Sequence, residues 1–502
     1  MLRRTATRQY ILAIDQGTTG SRAFLFDQQG AVVSSAYQEF PQYYPKPGWV
    51  EQDALEIWAS VESVIRKALA QARIRPVQIA GLGITNQRET TLLWDRHTGK
   101  PCHRAIVWQC RRTADMCRRL KRHAPLVQKT TGLVLDAYFS GTKVAWILDH
   151  VPGLRARARQ GAIAFGTMDA WLIYKLTRGR VHATDMTNAS RTLLFDISKR
   201  DWSPALLKML DIPAAVLPGV LPSAAIFGHT AGSVAGLPDG IPITGVMGDQ
   251  QAALYGQGCT GPGTVKNTYG TGCFLLLNTG QCRVDSTQGL VTTLACDETG
   301  NPVFALEGSI FTAGAVVQWL RDELQVISTA TETERLAEGL SDTRGVYFVP
   351  AFAGLGAPYW EPHARGAITG LTRGANVRHI VRAALESMAY QTRDVFALMQ
   401  KESHLKIRQL AVDGGACRNN FLMQFQADQL GIQVVRPEMA DSTVAGAAYL
   451  AGVATGLWSP SRIFRSKPID RVFTPHLSRR AADALYTGWK QAVGQVLAGK
   501  IS

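Results

Sequence analysis

Asp15 closes an apolar run, Tyr10 to Ile14, and a small polar turn of Gln16, Gly17, Thr18, Thr19, Gly20 and Ser21 follows before Arg22. A carboxylate at the end of a buried strand needs hydrogen-bond donors or a cation. Glycines and hydroxyls beside it let backbone N–H groups crowd onto phosphate oxygens. The combination suits a Mg-nucleotide, although the same residues would satisfy an ordinary hairpin turn, and the stretch alone leaves both readings open. Other apolar runs also end in residues that could do chemistry: Arg88 and Glu89, Asp249, Thr271, and Asp413 with Gly414 and Gly415. An Arg beside a Glu can give and take hydrogen bonds, but it also makes a plain surface ion pair.

The elements that position these residues follow from periodicity. Tyr10 to Phe26 reads as strand, turn, strand, and Ala31 to Phe40 as a third strand. Short connections make the three antiparallel neighbours and exclude a dinucleotide-binding βαβ start. Asp53 is placed to cap a helix carrying Trp58, Val61, Ile65 and Leu69 on one face. Gln78 to Ile84 forms a buried strand that delivers Arg88 and Glu89, and Ile241 to Met247 a strand that delivers Asp249. The Gly-rich bend from Gly256 to Gly263 divides the chain. Domains are therefore expected at 1–258 and 259–502. Beyond the bend a second strand, turn, strand recurs around Tyr269, Gly270, Thr271 and Gly272, and an apolar strand from Leu410 runs into Asp413. The chain ends in an amphipathic helix around Ala482 to Leu497.

The 502 residues carry 54 basic and 39 acidic groups, a formal charge of +15 that points to an anionic partner. Nucleic acid, an anionic membrane surface and phosphorylated metabolites all fit that description. The densest basic cluster, Arg111, Arg112, Arg118, Arg119, Lys121 and Arg122, has the spacing of a solvated helix face and argues against a nucleic-acid groove. The 8 cysteines lack a CxxC pair or zinc spacing, as expected of reduced thiols in the cytoplasm. The first nine residues, with Arg3, Arg4 and Arg8, lack the apolar stretch of a signal peptide. The uncharged runs Ile212 to Pro238 and Ser442 to Ser461 read as loops and a buried small-residue helix, so no membrane span is expected.

No Walker A sequence, no GxGxxG after a first strand and no protein-kinase set occurs. Phosphates in such a chain must be held by hairpin turns, as in the duplicated actin-like ATPase fold. The sequence resembles the FGGY family of carbohydrate kinases over nearly its whole length. The match is carried by IDQGTTGSR at 14–22, PGWVEQD at 47–53, GITNQRETT at 83–91, AIVWQCRRT at 105–113 and TGLVLDAYFSGTKVAWILD at 131–149. It continues through GDQQAALYGQ at 248–257, KNTYGTGCF at 266–274, FVPAFAGLGAPYW at 348–360 and VDGGACRNNFLMQFQAD at 412–428. The resemblance implies an α/β fold of two actin-like, ribonuclease H-like ATPase domains with a catalytic cleft between them.

It also implies an ATP-dependent kinase that converts glycerol to sn-glycerol 3-phosphate. Arg88, Glu89, Trp108, Tyr138, Asp249, Gln250 and Phe274 would form the glycerol pocket, with Asp249 as general base. Asp15 and Asp249 would hold Mg2+. Thr18, Thr19, Gly20, Arg22 and Thr271 would contact the phosphates of ATP, and Gly314, Gln318, Gly415 and Asn419 the adenosine. A homo-oligomer, dimer or tetramer, is implied as well. The family's first turn commonly reads DQGTTSSR, and here Gly20 replaces the first Ser. Some members are inhibited by a sugar bisphosphate through a Gly and Arg loop before the Asp249 strand; Leu237 to Gly240 here lacks the Arg, so that regulation is expected to be missing. A kinase for another polyol or ketose is the near rival. A non-catalytic, nucleic-acid-binding actin-like protein is the distant one, predicting salt-sensitive DNA binding.

Overall fold

The computed structural model describes residues 9–361, 363–439, 441–465 and 467–499, so the reading of Arg3, Arg4 and Arg8 lies outside the described residues. The chain divides into two compact units. The first comprises Met1–Thr260, Thr292–Phe304 and Ser442–Ser466, and the second Gly261–Val291, Ala305–Asp441 and Lys467–Ser502. The main division falls in the Gly-rich bend, and two later segments return to the first unit.

The first unit is built on a 5-stranded sheet in the order Ile243–Gly248, Ile79–Asn86, Tyr10–Gln16, Gly20–Phe26, Val32–Glu39. The last three are the expected antiparallel neighbours, and the first three run parallel. Parallel strands are covered on both faces, which is why Ile11, Leu12, Ala13 and Ile14 are all fully buried. Helix Ala54–Ala72 starts at Asp53, whose side chain accepts from the Leu55 N–H, and it buries Ile57, Val61, Ile65 and Ala68. Helix Ser442–Ala454, the uncharged small-residue run, packs against helix Asp249–Gly256. A Cβ on Gly446 would stand 1.9 Å from the Ala252 carbonyl oxygen, so only glycine permits this approach.

In the second unit, strands Cys273–Gly280, Val265–Tyr269, Gln409–Asp413, Gln433–Pro437 and Ile469–Phe473 lie side by side in that order. Val265–Tyr269 and Gln409–Asp413 are parallel, with Thr268 opposite Asp413. Helix Val377–Ser403 crosses this unit, and the terminal helix Arg479–Ala498 buries Ala482, Trp489, Ala492 and Val493.

The basic cluster differs from expectation. Arg111 and Arg112 precede the helix, which covers only Ala114–Arg119. The Arg112 side chain has no solvent exposure and donates to Glu51 at 2.7 Å. Its guanidinium lies 4.0 Å from the Trp49 ring centre and 4.7 Å from that of Trp146, so it is a packed, charge-paired element of the core. The spacing of charges along the chain carried no information about the two rings that enclose it. Among the described residues no helix is long and apolar enough to cross a membrane.

Candidate functional site

Strand register decides which side chains meet in the first unit. Asp15 stands opposite Thr85, and Thr85 opposite Met247, in adjacent parallel strands. One step further along, the same strand ends release Gln87, Arg88, Glu89 and Asp249. Carboxyl ends of parallel strands are where α/β folds place their ligands. Asp249 opens helix Asp249–Gly256, where the free N–H groups favour a carboxylate. Its Oδ1 lies 3.1 Å from Arg88 Nε and accepts from the Gln250 N–H at 2.7 Å. The preceding peptide is strapped down as well, because Gly248 N–H donates to Thr187 Oγ1 at 2.9 Å and that hydroxyl donates to Asp185. Burial and the charge of Asp169 push the Asp185 carboxyl up to about 6.

Arg88 and Glu89 are 2% and 1% exposed, which excludes the surface ion pair. Nor do they chiefly bind each other: Arg88 Nε is 3.9 Å from Glu89 Oε1, while Arg191 Nε donates to that oxygen at 2.6 Å. Glu89 sits in left-handed backbone, φ +59, a conformation costly for a non-glycine residue and common at functional positions. Arg191 was not found from the sequence. It lies outside the quoted motifs, and a lone Arg in a loop carries no periodic signal.

Trp108 and Tyr138 form one wall, their ring centres 5.6 Å apart and nearly perpendicular. Trp108 Nε1 donates to Thr18 Oγ1 at 3.0 Å, so this wall bonds directly to the opening turn. A second path closes the loop. Gln52 donates to the Thr18 carbonyl at 2.8 Å, Gln87 to Gln52 at 2.8 Å, Thr90 to Gln87 at 2.9 Å, and the Trp108 N–H to Thr90 at 3.3 Å. The glutamines stood in two quoted motifs, but nothing in one sequence says that they bond to each other. In the turn itself Asp15 and Thr18 are half-buried, while Thr19 and Arg22 are exposed. Gly20 has a physical reason: a Cβ there would lie 2.5 Å from the Tyr37 ring and 2.7 Å from the Gln38 carbonyl oxygen. The Arg22 guanidinium lies 5.6 Å from the centre of that same Tyr37 ring.

In the second unit, Thr271 is exposed at the turn between Val265–Tyr269 and Cys273–Gly280. Its carbonyl accepts from Ala313 and Ala315, and Gly270 accepts from Gly314 at 3.0 Å. The turn therefore abuts the start of helix Gly314–Asp322, and a Cβ on Gly314 would be 2.6 Å from the Gly270 oxygen. Gln318 is exposed one turn along that helix. Gly415 follows the neighbouring strand Gln409–Asp413 and has open space where a Cβ would point. Asn419 caps helix Asn420–Leu430 by accepting from Leu422 and also donates to Thr333, so it has a structural task whatever else it binds. Phe274 is half-buried in strand Cys273–Gly280.

Among the described residues no three or more His, Cys, Asp or Glu groups gather into a metal cage. Mg2+ needs less, because one or two carboxylates, phosphate oxygens and water complete its shell. Asp15, half-buried, and Asp249, 31% exposed in its side chain, end strands of one sheet and offer the hard oxygen donors that this ion takes.

The N-terminal domain of the FGGY family of carbohydrate kinases matches residues 10–256, and its C-terminal domain residues 265–455. The chain is 56% identical to glycerol kinase of Alkaliphilus metalliredigens over 493 residues, 98% of each chain. It is also 56% identical to glycerol kinase 2 of Pseudomonas aeruginosa over 490 residues, 97% of each. The crystal structure of Plasmodium falciparum glycerol kinase with ADP superposes with a TM-score of 0.92 at 35% identity, covering 98% of both chains. The protein, a two-domain chain of mixed α/β structure, belongs to the FGGY family of carbohydrate kinases.

Proposed function

We propose that the protein transfers the γ-phosphoryl group of ATP to a primary hydroxyl of glycerol, giving sn-glycerol 3-phosphate and ADP. The observation that carries the reading is the Asp249 carboxylate. It sits at the end of parallel strands, 3.1 Å from a buried Arg88, in a chain 56% identical to glycerol kinases over nearly its whole length.

Asp249 is the general base. A primary alcohol is a weak nucleophile at neutral pH, and a carboxylate within hydrogen-bond reach takes its proton as the new P–O bond forms and the bond to ADP breaks. The loose transition state of phosphoryl transfer leaves most of the catalysis to alignment and charge neutralisation. Arg88 pairs with Asp249 and donates to a glycerol hydroxyl, Glu89 accepts from another, and Gln250 supports the same end. Trp108, Tyr138 and Phe274 pack on the CH groups. Thr18, Thr19, the Gly20 N–H, Arg22 and Thr271 bind phosphate oxygens, and Gly314, Gln318, Gly415 and Asn419 the adenosine. Asp15, through water, and Asp249 would hold Mg2+, which when bound neutralises charge on the phosphates.

A coupled ADP-release assay with glycerol, erythritol and a ketopentose tests the proposal. The highest kcat/KM is expected with glycerol. ADP release no faster with glycerol than without acceptor, or a clear preference for a longer sugar, overturns it.

A further inference from the structure

Glu89 is a buried acceptor at the end of strand Ile79–Asn86, and its neighbours explain how it is aimed. A carboxylate 1% exposed is costly unless a cation and hydrogen bonds compensate it. Arg88, at 3.9 Å, is beyond hydrogen-bond distance and turned to Asp249. Arg191 does the compensating: its Nε donates at 2.6 Å, its side chain is 1% exposed, and its guanidinium lies 5.2 Å from the Phe139 ring centre and 5.8 Å from that of Tyr138.

The backbone is held as firmly as the carboxylate. The Glu89 carbonyl accepts from Thr91 Oγ1 at 2.9 Å, Ser140 Oγ at 3.0 Å and Lys143 Nζ at 3.4 Å. Lys143 also donates to the Tyr138 carbonyl at 2.6 Å, so one ammonium ties together the two peptides that carry Glu89 and Tyr138. Its location opposes ordinary preference. Lys143 is fully buried, and it lies in the first turn of helix Ser140–His150, where the helix dipole disfavours a cation. Burial draws its ammonium down to about 7 against the opposing pull of Glu89, Cys110 and Asp136, with Arg111 adding to the downward shift. A lysine this costly is explained by the two carbonyls it joins.

We propose that Arg191 and Lys143 are positioning residues of the polyol site, Arg191 fixing the Glu89 carboxylate and Lys143 fixing the peptides of Glu89 and Tyr138. The inference rests on Glu89 being a glycerol ligand. Neither residue touches substrate; each acts through a group that does.

The test measures KM for glycerol and for ATP, kcat, and the pH profile of kcat/KM for glycerol. Losing the Arg191 charge removes the cation that donates directly to the Glu89 carboxylate, and raises its demand for a proton. Arg191→Met is therefore expected to raise the glycerol KM by roughly tenfold or more, the scale of a lost charge-assisted hydrogen bond. Its KM for ATP stays within twofold, and the acid limb of its profile moves to higher pH than in the parent enzyme. Arg191→Lys restores part of the loss. Lys143→Met raises the glycerol KM and moves that limb less than Arg191→Met does, because it disturbs the peptides and leaves the carboxylate paired with Arg191. If Arg191→Met does not fold, Arg191→Lys carries the test, with a raised glycerol KM expected. Equal loss for both substrates with an unmoved acid limb in the Arg191 variants overturns the inference. Glu89→Gln separates the two claims: an unchanged glycerol KM there removes the site reading itself, whereas a raised KM beside normal Arg191 and Lys143 variants removes only this inference.

Discussion

The two units place their buried ionisable groups differently. In the first, Arg88, Glu89, Arg191 and Lys143 are all 2% exposed or less and gather under the strand ends that deliver Asp249. In the second, Thr271, Gly314 and Gly415 lie at the turn and element starts beside strand Gln409–Asp413, whose end buries Asp413, and a further buried ionisable pair, Arg393 and Asp394, lies under the terminal helix. There Asp394 accepts from Tyr359 at 3.0 Å, Trp489 Nε1 at 2.9 Å and Tyr486, and Arg393 donates to Gln429 at 2.9 Å and the Ala482 carbonyl at 3.0 Å. A small triol offers only a few hydroxyls, so its recognition needs directional charged groups held without water. Phosphates and a nucleoside can be taken by backbone N–H groups and clear space, which is what glycines supply.

That contrast is broken most directly at Asp249. Asp249→Asn keeps the shape but removes the base, and kcat is expected to fall by about 10²–10⁴-fold. The KM for ATP should change little. A steady-state assay retaining near-normal turnover would remove Asp249 from the chemistry and leave the first unit without its distinguishing group.

The second unit's own buried carboxylate makes a claim about stability. Burial pushes the Asp394 carboxyl up to about 6, above its ordinary 3.8, with neutral Tyr and Trp donors and nearby Arg393 only partly offsetting it. The folded state then holds the proton more tightly than the unfolded chain does. The resulting stabilisation is fully present below about pH 4 and is lost as pH rises through about 6, at most about 3 kcal/mol. In Asp394→Asn that dependence disappears, since Asn can still accept from Trp489 and Tyr359. Thermal unfolding from pH 4 to 7 should show the parent losing more stability than the variant; parallel curves would contradict it. Asp185, raised similarly in the first unit, is common to both proteins and cancels in the difference.

Much of the first unit was legible because its signals are local. The Asp53 cap, the antiparallel hairpins and the uncharged small-residue helix are each set by neighbouring residues. Pairings across distance were not. Arg191 reaches Glu89 across 102 positions, and Arg112 reaches Glu51 across 61. A pattern of charge along the chain says where a helix faces water, but not which buried ring or carboxylate waits for a guanidinium. The terminal helix was visible as amphipathic, and its task of meeting Asp394 and Arg393 emerged only with the packing of helix Val377–Ser403.

Gly314 tests the other half of the contrast. If its lack of a side chain is what lets the Gly270–Thr271 turn approach the helix start, Gly314→Ala pushes the two apart, because the obstructing atom is a backbone oxygen at 2.6 Å. The nucleotide KM should rise by roughly tenfold, equivalent to about 1.4 kcal/mol, with the glycerol KM within twofold. An equal rise for both substrates would show that the two regions are not separable by ligand.

The smallest expected effect concerns Gly20, where the first unit itself uses a glycine in place of a hydroxyl. A Cβ at this position meets the Tyr37 ring at 2.5 Å and the Gln38 carbonyl at 2.7 Å, and the ring is 47% exposed and free to swing while the carbonyl is fixed in the strand pair. Gly20→Ser is therefore expected to destabilise by about 1 kcal/mol, the low end for overpacking. Combined with Tyr37→Ala, the loss should fall short of the sum of the single losses by about 0.5 kcal/mol or more, since half the obstruction is gone. Additive losses in chemical denaturation would mean that Tyr37 does not occupy the space of the missing Ser. Coupled losses would mean that the Tyr37 ring beneath Arg22 fills the space a Ser side chain at this turn would need.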